Sequence, residues 1–101
     1  MLKFDKIKIV SDISNIEIYD EDVFEKILKN GVLVELRYRI ENPYYLYVEV
    51  DYLENELVIE FTGKILGKEY PRLISVETIM NCFAEINSNL SFSIKSDLMM
   101  E

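Results

Sequence analysis

The sequence predicts an α+β fold in which an antiparallel sheet is backed by helices, and three observations point there. From Val32 to Thr62 the chain alternates apolar and polar residues in three runs, VLVELRYRI, YYLYVEVDY and LVIEFT, broken by turn residues at Glu41-Asn42-Pro43 and Glu54-Asn55. That period of two marks strands with one buried face. Two further stretches, Asp20 to Asn30 and Ser75 to Asn87, carry helix signals instead. Finally, 101 residues with 50% apolar and 12% aromatic content suit one globular domain that needs no staples.

Taken in order, Phe4 to Val10 sets Ile7 and Ile9 on one side and Lys6 and Lys8 on the other, a first strand. Ser11 to Asn15 is turn-like, and Asn15 to Tyr19 is a short extended piece. Over residues 20–30, acids crowd the start, Lys26 and Lys29 the end, and Asn30-Gly31 supplies a stop. Val23, Phe24, Ile27 and Leu28 then form an apolar stripe, with Asp22–Lys26 and Glu25–Lys29 as i,i+4 pairs. The three runs that follow read as a meander. Aligning their apolar sets places Tyr52 opposite Leu57, Val50 opposite Ile59, Val48 opposite Phe61, Leu36 opposite Val48 and Tyr38 opposite Leu46. A one-residue slip would destroy that agreement. Gly63 to Ile74 holds two glycines and a proline and reads as an ordered loop. Ser75 N-caps the second helix, 75–87, whose face is Val76, Ile79, Met80, Phe83 and Ile86. Leu90, Phe92 and Ile94 make a last strand near 90–95, and Ser96-Asp97 starts a helix cut off at Glu101, an ending that suggests the front piece of a longer protein.

Composition narrows the chemistry. The net charge of −8 disfavours non-specific adhesion to nucleic acid or anionic membrane. One cysteine, Cys82, forms no internal disulfide and fits a cytoplasmic setting, and no apolar run approaches a membrane span. With no histidine, Ser-His-type triads and His-ligated metal sites are excluded. Without a histidine to activate it, Cys82 reads as an inert core thiol.

The stretch PYYLYVEVDYLENELVIEFTGKILGKEYPRLISVETI, with IEFTGKILG, YPRLIS and the opening FDKIKIV as its most familiar parts, resembles the N-terminal region of phage and plasmid replication initiators of the filamentous-phage gene II type. The resemblance implies the HUH endonuclease class, which nicks single-stranded DNA with a tyrosine nucleophile and a divalent metal held by a His-hydrophobe-His pair. That motif is absent here. No catalytic residue, cofactor or metal is therefore assigned to this chain. The expectation is a non-catalytic N-terminal part of a rolling-circle initiator that helps handle single-stranded DNA, with any metal and nucleophile in the rest of the parent protein.

Three groups of residues are candidates for contact. Lys64, Lys68 and Arg72 lie between glycines in the Gly63–Arg72 loop and offer cations to a phosphate backbone, although the same residues suit a solvated turn. Tyr45 and Tyr47 share the face opposite the aliphatic set with Arg37 and Arg39, a pattern for stacking on splayed bases that also serves core or subunit contact. The predicted register aligns Glu35, Glu49 and Glu60 in one carboxylate row across three strands, to be relieved by a divalent metal or, more simply, by Arg37, Lys6 or Lys8. Tyr70 precedes Pro71 in a loop and lacks a recognisable base, so it is not taken as a nucleophile. The alternative function is a small acidic protein-interaction or homodimerisation module, a DNA mimic among its variants. As a front piece, the chain is expected to self-associate or contact the missing C-terminal part through apolar surface at Leu98, Met99, Met100 and one face of the sheet, or to end in a disordered tail after about Asp97.

Overall fold

A computed structural model describes residues 4–95. Its centre is a five-stranded antiparallel sheet in the order β1-β6-β5-β4-β3, built from β1 (Lys6–Asp12), β3 (Glu25–Lys29), β4 (Val32–Ile40), β5 (Leu46–Asp51) and β6 (Glu56–Thr62). Strands β3 to β6 form a meander, and β1 returns beside β6, leaving β1 and β3 as the edges. A separate two-stranded sheet pairs β2 (Ile16–Ile18) with β7 (Phe92–Ile94). The last strand thus stands apart from the meander and partners the short extended piece after β1.

One face of the large sheet is the core. Ile9, Leu36, Leu46, Val48, Val50, Leu57, Ile59 and Phe61 are buried there, against Ile65, Ile74, Ile79, Cys82, Phe83, Ile86, Phe92 and Ile94 from the covering elements. Burying each such side chain contributes about 1.5–3 kcal/mol. Aromatic edges lock the layers, with Phe61 and Phe83 at 6.3 Å and Phe92 at 5.1 Å from Tyr38. Helix α1 (Ile79–Ile86) buries Ile79, Cys82, Phe83 and Ile86, a narrower stripe than predicted, since Val76 and Met80 are exposed. The helix also starts later. Ser75 opens a turn, its Oγ accepting from the Glu77 N–H at 3.2 Å, before the helix proper begins. The loop from Gly63 is ordered as 3-10 turns through Arg72, kinked at Gly67, whose φ of 59° only glycine adopts freely.

Two expectations fail. Residues 20–30 are not a helix. Asp20 does cap, its carboxylate accepting from the Asp22 N–H at 3.0 Å, but it opens only the 3-10 turn Glu21–Val23, after which the chain extends as β3. Asn30 and Gly31 have φ of 52° and 79°, the left-handed pair that closes a two-residue hairpin into β4 rather than stopping a helix. The meander register is also displaced by two residues at both turns. Leu46 faces Phe61, Val48 faces Ile59 and Val50 faces Leu57, while Leu36 faces Val50 and Tyr38 faces Val48. An even shift keeps every side chain on its expected face but changes every cross-strand neighbour. The helix expected from Ser96-Asp97, and Leu98, Met99 and Met100, lie outside the described residues.

Candidate functional site on the open face of the sheet

Among the described residues, no element covers the second face of the sheet, and none of the side chains on it is buried. The register fixes its rows. Lys8, Glu60, Tyr47 and Arg39 run across one row, and Val10, Val58, Glu49, Arg37 and Glu25 across the next. The third row is Asp12, Glu56, Asp51 and Glu35. The face is therefore graded, basic and aromatic at one end and acidic at the other.

At the basic end a cleft of about 560 Å³ is lined by Val23, Glu25, Arg37, Arg39, Tyr45, Tyr47 and Glu60. Every polar group in it that the sequence singled out is held. The Tyr45 hydroxyl donates to Glu60 Oε1 at 2.8 Å, and the Tyr47 hydroxyl to Glu49 Oε1 at 2.5 Å. Arg37 grips Glu35 through Nε at 2.8 Å and Nη2 at 3.2 Å, and Arg39 Nη2 reaches Glu41 at 2.8 Å. Lys6 Nζ lies 3.6 Å from Glu60 and 5.1 Å from the centre of the Tyr45 ring, with Arg39 5.5 Å from the same centre. These contacts set the ionisation. Burial, and then the bond to Glu49, push the Tyr47 phenol far up from its ordinary value; burial and Glu60 raise Tyr45. The hydrogen bond to Glu35 raises Arg37, and that to Glu41 raises Arg39.

The carboxylate row predicted from Glu35, Glu49 and Glu60 is not formed. All three do lie on this face and on adjacent strands, but Glu49 faces Arg37 and Val58, and Glu60 faces Tyr47 and Lys8. With no row to relieve, each carboxylate has its own partner: Glu35 binds Arg37, Glu49 accepts the Tyr47 hydroxyl, and Glu60 lies 3.6 Å from Lys6 Nζ. A different acidic row, Asp12–Glu56–Asp51–Glu35, was missed. Its members turn aside: Asp12 accepts from the Ser14 N–H at 2.8 Å, and Asp51 from the N–H groups of Leu53 and Glu54 at 3.0 and 3.1 Å. Among the described residues, no group of three or more Asp, Glu or Cys is arranged to hold a metal ion.

The other candidates stand elsewhere. Lys64, Lys68 and Arg72 belong to the turns that place Ile65 in the core, and none of them lines the cleft. Arg72 meets Glu77 at 3.5 Å. Tyr70 is a structural strut. Its hydroxyl donates to Asp5 Oδ1 at 2.8 Å, a bond that raises its pKa, and its ring fills the space over Gly63. Cys82 is fully buried in α1, and burial pushes its thiol up to about 11, away from a reactive thiolate. No helix among the described residues is long and apolar enough to cross a membrane. Comparison with protein families, curated proteins and solved structures finds no match for this chain.

Proposed function

We propose that this chain is a non-catalytic binding module of the cytoplasm whose open sheet face engages a protein partner. Tyrosine and arginine of the cleft supply the anchors, and the acidic end receives basic groups of the partner. The observation that carries the reading is the gathering of Tyr45, Tyr47, Arg37 and Arg39, half-exposed and held in hydrogen bonds, on a face that none of the described elements covers. Tyrosine and arginine dominate protein-binding hot spots, and side chains held before binding lose less entropy on association. Electrostatics favours protein over nucleic acid. Arg37, Arg39 and Lys6 each already face a carboxylate, and the Asp12–Glu56–Asp51–Glu35 row repels phosphate.

A second reading follows the resemblance to rolling-circle replication initiators, with this chain helping to hold single-stranded DNA. What favours it is that the predicted stacking residues do converge, with Lys6 and Arg39 set against the Tyr45 ring. Nuclear magnetic resonance titration of the ¹⁵N-labelled chain separates the two. A short Lys/Arg-rich peptide should shift the amides of Arg37, Tyr45, Tyr47, Asp51 and Glu56, and Tyr47→Ala should weaken it on the order of tenfold. Saturable shifts with oligothymidylate alone would establish the second reading in its place. Silence with both ligands would dismiss the face as a binding site.

A further inference from the structure

We propose that β1 is a homodimerisation edge, pairing antiparallel with β1 of a second copy so that two five-stranded sheets become one continuous sheet. The inference does not depend on what the open face binds.

Among the described residues, the backbone alternation leaves the groups for such a ladder without a partner. Gly63 N–H donates to the Asp5 carbonyl and Ile13 N–H to the Asn55 carbonyl, both in step with the β1–β6 register. Odd-numbered residues of β1 therefore bond to β6, and Lys6, Lys8, Val10 and Asp12 aim their N–H groups at the open edge. Phe4 obeys the same alternation, and its outward groups are taken by Ile74. The free edge thus runs from Lys6, beside that bridge, to Asp12, where the chain enters a 3-10 turn. No bulge interrupts it, and Val10 at its middle is 55% exposed.

The other edge is protected by comparison. Strand β3 carries a register break between Ile27 and Leu28, and Lys26, opposite buried Leu36, projects a charge on the core side. Bulges and inward charges are the usual devices against edge pairing. Lysines on an exposed edge are another, so the register within β1 decides. Centring the pair on Lys8 would set that lysine against the partner's Lys8. Centring it on Ile9 sets Lys6 opposite the partner's Asp12 and Lys8 opposite the partner's Val10, and uses the whole strand. The ladder then carries a Lys–Asp pair at each end, at the hydrogen-bonded positions the edge leaves open. A twofold axis perpendicular to the sheet puts both open faces on the same side, and both helices on the other.

Sedimentation equilibrium from micromolar to millimolar chain should show a species of twice the chain mass. Val10→Pro removes a donor that β6 does not use, so the monomer fold survives. Loss of its two symmetry-related bonds should weaken the dimer on the order of tenfold or more. Lys6→Asp, which opposes the partner's Asp12, should weaken it as well. A mixture of the Lys8→Cys and Val10→Cys variants should cross-link under mild oxidation, while a Val76→Cys variant should not; this trap decides the matter if Val10→Pro disturbs folding. A monomer at every concentration would overturn the proposal, and so would a dimer indifferent to Val10→Pro and Lys6→Asp.

Discussion

Glu49→Gln tests whether the open face is a built network or a solvated surface. In the structure Glu49 accepts the Tyr47 hydroxyl at 2.5 Å and lies directly opposite Arg37, whose pKa it helps to raise. A hydrogen bond to a charged group contributes about 1.5–3 kcal/mol and a neutral one about 1 kcal/mol. Glutamine keeps an acceptor, so the hydrogen-bond loss is about 1 kcal/mol. Arg37, exposed and bound to Glu35, adds little to that loss. The expected loss is about 1 kcal/mol, or roughly 4–8 °C in Tm for a domain of this size. Urea denaturation at pH 7 reads it as a lower midpoint at unchanged slope. Glu56→Gln is the matched control. Its carboxylate sits between Asp12 and Asp51 and has no cation partner among the described residues. Removing it should leave stability unchanged or raise it by a few tenths to about 1 kcal/mol. A Glu49→Gln variant as stable as the parent, or a Glu56→Gln variant that is clearly weaker, would refute the network.

Three other outcomes follow from single residues. Because the folded Tyr47 phenol ionises well above its ordinary 10.0, the folded state keeps a proton that the unfolded state has lost. Its contribution is complete below pH 10 and falls as pH rises toward the folded value; Tyr47→Phe should flatten that alkaline decline, read by urea melts beside absorbance at 295 nm. Gly63→Ala would put a Cβ 2.9 Å from the Tyr70 ring, so the ring must shift, straining its bond to Asp5. The loss, about 1–3 kcal/mol by thermal melting, should shrink in a Tyr70→Ala background. Gly31→Ala meets nothing within 4 Å, so its cost, about 1 kcal/mol in the same melts, comes from the φ of 79° alone.

The alternation in β1, β4, β5 and β6 was enough to assign faces, because a face needs only the parity of each residue. The same parity puts Tyr45, Tyr47, Arg37 and Arg39 together on one face. Strand β3 was illegible for a physical reason. It sits at an edge, where Lys26 on the core side can reach out to Asp22 at 3.3 Å and Glu21 at 3.8 Å, while Ile27 points to the open side. That inverts the pattern by which a strand is recognised. The acids of Asp20 to Asp22 and the Asn30-Gly31 stop then look helical, although Asn-Gly followed at once by the apolar run of β4 is also the strongest short hairpin signal. Lys64, Lys68 and Arg72 stand apart from that face, since Ile65 among them is drawn into the core.

Register was the harder quantity, and the reason lies in what apolar alignment can measure. Sliding β5 by two residues keeps an apolar residue against an apolar residue at each step, so burial alone cannot choose between the two pairings. Turn chemistry and charge do choose. Asp51 ends its strand by accepting two loop N–H groups, and Asn55, with φ of 55°, takes the left-handed position before Glu56, which fixes the loop as Tyr52–Asn55. The displaced alternative would have stacked Glu35, Glu49 and Glu60 against one another. The observed one interposes Arg37 and Tyr47 and moves the unavoidable acidic row to the ends of the strands. There Asp12 and Asp51 can swing away to cap turns, which carboxylates in the middle of a ladder cannot do. The predicted clash was thus itself a measurement of the wrong register. Where an alignment of apolar residues is degenerate by two, the pairing that separates like charges on the wet face is the one to choose.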